Sequence, residues 1–132
     1  MGDPQEADPQ SVAEAVRTGM YARDRAAQAL GIAVEAIGPG FARCRMRVRD
    51  DMVQGHATCH GGLTFTLADT AFAYACNAYN RATVALGAEI AFLAPARPGD
   101  VLDHLARTYG EDRYRASWLL RRKALAKQTF HG

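Results

Sequence analysis

One stretch limits what this chain can fold into more than any other. From Gly61 to about Ala78 it reads Gly-Gly-Leu-Thr-Phe-Thr-Leu-Ala-Asp-Thr-Ala-Phe-Ala-Tyr-Ala-Cys-Asn-Ala. Asp69 is the only formal charge between His60 and Arg81. A helix that is apolar almost all round belongs at the centre of a fold. Asp69, Thr64, Thr66, Thr70 and Asn77 make the same stretch too polar for a membrane span. It therefore reads as a core helix that something else must cover.

The rest of the chain supplies mostly strands. Arg43, Arg45, Arg47 and Arg49 alternate with Ala42, Cys44, Met46 and Val48, a period of two with one wet face and one buried face. Ile32 to Ile37 reads as a short strand, closed by the Gly38-Pro39-Gly40 turn. Upstream, Asp8-Pro9 is a cap followed by Pro at the first helical position, and a helix is expected from Pro9 to Leu30. Asp50 to Cys59 reads as a loop and Thr83 to Leu93 as a strand. Val101 to Tyr109 and Arg113 to Arg121 read as two strands around Gly110-Glu111-Asp112. The remainder, Arg122 to Gly132, has the makings of a last strand, short or frayed. One apolar helix with several strands predicts an α+β fold, an antiparallel sheet curled round the helix.

Length and composition fit a single domain over 1–132, with 1–30 as an N-terminal helical segment. The chain has 132 residues, 48% hydrophobic and 23% charged, which excludes a disordered or fibrous protein. A net charge of +2 gives no reason to expect nucleic-acid binding. Three cysteines, an odd and sparse count, argue for a reducing compartment rather than a disulfide framework. The acidic opening MGDPQEADPQ lacks the basic and apolar regions of a signal peptide, so a cytoplasmic protein is expected.

Two features carry chemistry. A lone carboxylate on an apolar helix is costly to bury, so Asp69 either has a task or partner, or is solvated. Gly61 and Gly62 open the same helix. There the first N–H groups lack intrahelical partners and a ligand can approach the backbone closely. This is either an oxyanion hole or simply a tight turn into the helix. Asp69 lies about 10 Å along the axis from Gly62, too far to act on a carbonyl held at its own helix N-terminus. A second copy across a two-fold would bring Asp69 of one subunit towards Gly61 of the other.

With these residues in view, Gly55-His56, Cys59-His60-Gly61-Gly62 and Leu67-Ala68-Asp69-Thr70-Ala71-Phe72-Ala73-Tyr74-Ala75-Cys76-Asn77 resemble the hotdog-fold acyl-CoA thioesterases. Within that family they resemble the branch serving phenylacetic acid degradation. Gly19 to Asp24, Gly31-Ile32, Gly38 to Phe41, Phe92 to Pro95 and Pro98-Gly99-Asp100 extend the likeness. The resemblance implies a hotdog sheet wrapped on the central helix, dimers commonly paired into tetramers, an acyl-CoA substrate, and thioester hydrolysis without a cofactor or metal. It implies Gly61 as the backbone donor to the thioester oxygen. Asp69, from the neighbouring subunit, is implied as the catalytic carboxylate, either general base or nucleophile. His60, Gln54 and Gly62 are implied as positioning residues. The implied substrate is phenylacetyl-CoA or a ring-hydroxylated derivative.

The chain departs from that pattern at three places. Many relatives have Asn where Gln54 stands, one methylene shorter. Thr83 is offset from a place that often carries a water-holding hydroxyl, and Ala85 has none to offer. Leu119-Leu120-Arg121-Arg122-Lys123 breaks the expected alternation. Rival readings exist for the same residues. His56 and His60 have metal-pair spacing, but no further ligand cluster follows. Cys59 precedes a helix N-terminus, where a thiol can be activated. Ser11 and Ser117 lie in no nucleophile elbow, and no dehydratase histidine motif is visible. Phe65, Phe72, Tyr74 and Tyr79 fit core packing as well as an aryl pocket. Beyond Asp112 come Arg113, Arg115, Arg121, Arg122, Lys123 and Lys127 with no acid, either a charged edge strand or a guide for coenzyme A phosphates. A hotdog protein that only binds acyl-CoA, or acts as a scaffold, is the alternative to an enzyme.

Overall fold

The computed structural model describes residues 7–108, 117–120 and 124–131. The chain begins with α1 (Pro9–Tyr21), capped by the Asp8 carboxylate, which accepts from the Ser11 N–H at 3.0 Å. The helix does not run on to Leu30 as the composition suggests. It stops, and Asp24 caps a separate α2 (Arg25–Leu30) by accepting from the Ala27 N–H at 3.0 Å. An Asp side chain competes with helical backbone and serves better as a cap than inside a helix. The second carboxylate oxygen of Asp24 accepts from the Tyr74 hydroxyl at 3.2 Å, tying this break to the central helix.

β1 (Ala33–Gly38) and β2 (Phe41–Arg47) form a hairpin closed at Gly40. Gly40 has a φ of 66°, and a Cβ there would collide with Thr108 Oγ1 and the Tyr79 hydroxyl. Only glycine meets both demands. The period-two reading of β2 holds: Ala42, Cys44, Met46 and Val48 are buried, while Arg45 and Arg47 are exposed. Arg43 and Arg45 share the Asp103 carboxylate across the sheet at 3.2 and 3.3 Å.

α3 (Gly61–Asn77) follows, then β3 (Gly87–Phe92), β4 (Val101–Arg107), β5 (Ser117–Leu120) and β6 (Ala124–His131). All pairings are antiparallel and the sheet order is β1-β2-β4-β5-β6-β3. α3 packs on this sheet, chiefly against β2 and β4. Leu67, Ala71, Tyr74 and Ala75 of α3 share one core with Cys44, Met46, Leu102 and Ala106. No helix among the described residues is long and apolar enough to cross a membrane.

Two boundaries differ from the sequence expectation. β3 starts only at Gly87, so Thr83–Leu86 is irregular chain rather than strand. β6 is eight residues long and pairs with both β5 and β3, so it is neither short nor frayed. Pairing on two edges holds a strand that its polar sequence alone would not. The β5–β6 register shifts between Leu119 and Leu120, where the alternation breaks. The expected Gly110-Glu111-Asp112 turn and the start of the Arg113–Arg121 strand lie outside the described residues.

The sheet order leaves β3 as an edge strand. The chain around it is apolar and open. Val84 is 85% exposed, Leu86 87%, Phe92 57% and Leu93 60%. An uncovered apolar edge of this kind invites a partner.

Candidate active site

The approach to α3 is built from its own hydrogen bonds. A short turn at Asp50–Met52 leads into a bridge between Val53 and Cys59. Within it, the Gln54 N–H donates to the Thr58 carbonyl at 2.9 Å. The Cys59 N–H donates to the Ala96 carbonyl and the His60 N–H to the Met52 carbonyl, both at 2.8 Å. His60 is the N-cap. Its Nδ1 accepts from the Gly62 N–H at 2.9 Å, and its carbonyl accepts from the Leu63 N–H at 2.9 Å. The Gly61 N–H is left as the donor at the helix start with no acceptor among the described residues. The partial positive charge of a helix N-terminus is thus concentrated on one available N–H.

That N–H borders a cavity of about 320 Å³, lined by Gln54, Thr58, Cys59, Gly61, Thr64 and the segment Phe92 to Ala96. Gly61 packs closely here: a Cβ would lie 3.0 Å from the Phe92 ring, which would have to shift to admit it. Gln54 reaches the cavity, but its amide is engaged in its own loop. Oε1 accepts from the His56 N–H, and Nε2 donates to Thr58 Oγ1 at 2.7 Å. Cys59 is buried, which pushes its thiol above the ordinary value of 9.0. That opposes a thiolate nucleophile here.

Asp69 stands eight residues beyond Gly61 in α3, about 12 Å along the axis. It borders a different cavity of about 430 Å³, formed with Phe65, Phe72, Ala73 and the chain from Thr83 to Ala88. In the single chain the Asp69 carboxylate is reachable from solvent at this cavity. Partial burial against apolar neighbours nevertheless raises its pKa from the ordinary 3.8. The wall of the cavity is held by Asn77. Its amide donates to the Ala73 and Thr83 carbonyls at 2.8 Å each and accepts from the Thr83 N–H at 2.9 Å. Thr83 lines this cavity, but its hydroxyl donates to the Arg81 carbonyl at 2.9 Å.

The expected site residues therefore form two groups. Gly61 and Gln54 line one cavity, His60 and Gly62 form the helix cap beside it, and Asp69 stands at another. Of the aromatic candidates, Phe65 and Phe72 line the Asp69 cavity, while Tyr74 is core. His60 Nδ1 is occupied by the cap, and no group of three potential metal ligands occurs among the described residues. A larger cavity of about 480 Å³ runs between α1 and the end of α3, and neither Asp69 nor Gly61 lines it. Sequence reasoning gave no role to Thr58, Asn77 or Phe92. Asn77, an amide ending an apolar helix, carried a local signal. The other two acquire a place only through the fold.

Known proteins match both the sequence and the fold. The thioesterase superfamily pattern matches residues 56–118. Over 88 residues the chain is 49% identical to the acyl-coenzyme A thioesterase PaaI of Escherichia coli strain K12. That stretch is 67% of this chain and spans 63% of the E. coli protein's length. The structure of E. coli PaaI, from the phenylacetic acid degradation operon, superposes with a TM-score of 0.88 at 37% identity over 93% of each chain. A mutant of the phenylacetic acid degradation protein PaaI from Thermus thermophilus has a TM-score of 0.72 at 30% identity. The match covers 83% of this chain and all of that one, 100%. The chain belongs to the thioesterase superfamily, and the sheet wrapped on α3 is the hotdog fold.

Proposed function

We propose that the protein is an acyl-CoA thioesterase, hydrolysing phenylacetyl-CoA or ring-hydroxylated phenylacetyl-CoA to the free acid and CoA. Its active sites are shared between the subunits of a two-fold dimer, and dimers pair into a tetramer. One observation carries this reading. The two half-sites lie at opposite ends of the exposed edge strand β3: Gly87 and Ala88 border the Asp69 cavity, and Phe92 borders the Gly61 cavity. Antiparallel pairing of β3 with its copy, about an axis near Glu89–Ile90, sets the start of one strand beside the end of the other. The cavity of Asp69 then adjoins the cavity of the partner's Gly61. The same pairing covers Val84, Leu86 and Leu93.

The chemistry follows from the two groups. The thioester carbonyl oxygen accepts from the Gly61 N–H, which stabilises the charge developing on that oxygen. The Asp69 carboxylate of the other subunit removes a proton from water, which attacks the carbonyl carbon; alternatively the carboxylate attacks directly and water cleaves the anhydride. The carbon–sulfur bond breaks and CoA leaves as the thiol. Phe65 and Phe72 beside Asp69 support an aryl acyl group. Free, buried Cys44, Cys59 and Cys76 support a cytoplasmic location.

Complementation tests the shared site. Asp69→Asn removes the carboxylate. Gly61→Pro removes the N–H at the first helical position, where proline is tolerated. Gly61→Ala is the control for the added Cβ. Random re-pairing of equal amounts makes half the dimers mixed, each with one intact site of two, so about a quarter of wild-type activity returns. No recovery despite subunit exchange, measured by mass spectrometry, rejects the shared site. Acyl-CoA binding without thiol release in the wild type favours the scaffold alternative. A panel of phenylacetyl-CoA, hydroxyphenylacetyl-CoA and a straight-chain acyl-CoA tests the aryl preference.

A further inference from the structure

We propose that Thr58 is a second hydrogen-bond donor to the substrate carbonyl oxygen, with its hydroxyl proton aimed by Gln54. This rests on the thioesterase reading above. The orientation follows from donor–acceptor logic. The His56 N–H can only donate, so the Gln54 atom facing it is Oε1. The other end of the amide is then the NH₂ group, 2.7 Å from Thr58 Oγ1. An amide NH₂ can only donate, so Thr58 Oγ1 accepts there and its own proton points elsewhere. That hydroxyl proton finds no acceptor among the described residues. Thr58 and Gly61 line the same cavity, and the Thr58 backbone is held in place by the Gln54 N–H.

The cavity therefore presents, among its donors, the Gly61 N–H from the backbone and the Thr58 hydroxyl from a side chain, neither with an acceptor among the described residues. Two neighbouring polar groups are already bonded. The Gly62 N–H is bonded to His60, and the Thr64 hydroxyl donates to Cys59 Sγ at 3.7 Å. Gln54 acts through Thr58 and is a positioning residue. Its extra reach is used inside the loop, and a shorter hydroxyl makes the contact with substrate.

The test uses Thr58→Val, which keeps shape and removes the donor, with Thr58→Ser and Gln54→Met. Thr58→Val is expected to lose about 10²-fold in kcat with little change in KM, as for loss of one oxyanion donor. Thr58→Ser restores most of kcat. Gln54→Met loses less, and adding it to Thr58→Val costs little more, because the two act as one unit. A second readout is independent of stability: the preference of each variant for a thioester over the matching dithioester, whose C=S group accepts hydrogen bonds poorly. That preference falls in Thr58→Val and stays high in Thr58→Ser. Unchanged kcat and an unchanged oxygen-over-sulfur preference in Thr58→Val overturn the proposal while leaving the thioesterase reading intact. A folded wild type inactive on the whole acyl-CoA panel overturns both.

Discussion

The two cavities that border α3 are built in opposite ways. Around Gly61, nearly every polar group is bonded within the chain: His60 to Gly62, Gln54 to His56 and Thr58, Cys59 to Ala96. Around Asp69, the wall from Val84 to Ala88 is exposed and irregular until Gly87, held at its root by Asn77. The first is a preorganised donor set that one chain completes. The second presents an apolar surface that one chain leaves open. Fixed dipoles need rigidity before substrate arrives, whereas an apolar wall gains its order when a second surface covers it.

Asp69→Asn gives the largest expected effect, a loss of about 10²–10⁴-fold in kcat with the oligomer retained. Steady-state thiol release measures it. The raised pKa of Asp69 fixes two signs. Activity on the acid side declines at a higher pH than for an ordinary carboxylate. Because the folded state holds that proton more tightly than the unfolded chain, deprotonation destabilises the fold as pH rises through the raised pKa. Asp69→Asn therefore melts at the same temperature as wild type or higher at pH 7. A large drop in its Tm would show that the carboxylate is structural.

Leu86→Asp and Val84→Asp break the open half directly. At positions 87% and 85% exposed in one chain, a surface substitution should be nearly neutral for folding. At a covered interface a charge weakens self-association, here by about tenfold or more, with activity becoming concentration-dependent. Sedimentation velocity separates these outcomes. If both variants assemble and turn over like wild type, β3 is not the dimer edge.

Asn77→Ala loosens the same wall without touching the donor set. It removes three hydrogen bonds, each worth about 1 kcal/mol, and should lower kcat by about tenfold. Equal losses on aryl and straight-chain substrates would separate the wall from acyl selection.

His104 gives the smallest and most separate effect. It is fully buried on β4, neither ring nitrogen has a partner among the described residues, and burial pushes its pKa down to about 3. The folded chain keeps it neutral while the unfolded chain takes up a proton below pH 6.5, so stability falls as pH drops from there, by about 1.4 kcal/mol per unit. His104→Leu should flatten that acid slope in chemical denaturation at pH 5 and pH 8, leaving kcat at pH 8 close to wild type. A slope unchanged by the substitution would place the acid sensitivity elsewhere.

Much of this was legible in the residues. The Arg43 to Arg49 alternation named a strand with one buried face, and the apolar run from Gly61 named a central helix. Both follow from local periodicity, which depends only on neighbours in sequence. The cap at Asp8 is equally local. The break at Asp24 rests on a local cap to Ala27 that the helical composition masks, and on a tie to Tyr74 fifty residues on. The extent of β6 was missed because two flanking strands hold it, one of them β3. At the site, residue order alone supplied the chemical groups: one carboxylate in an apolar helix, and glycines at that helix's first turn. It also set their separation, because helix rise is constant. Packing then settled that they face different cavities, that the Phe92 ring crowds position 61, and that Gln54 bonds Thr58. Those outcomes depend on where distant segments meet. Period and composition carry no information about which of a chain's donors will already be spent.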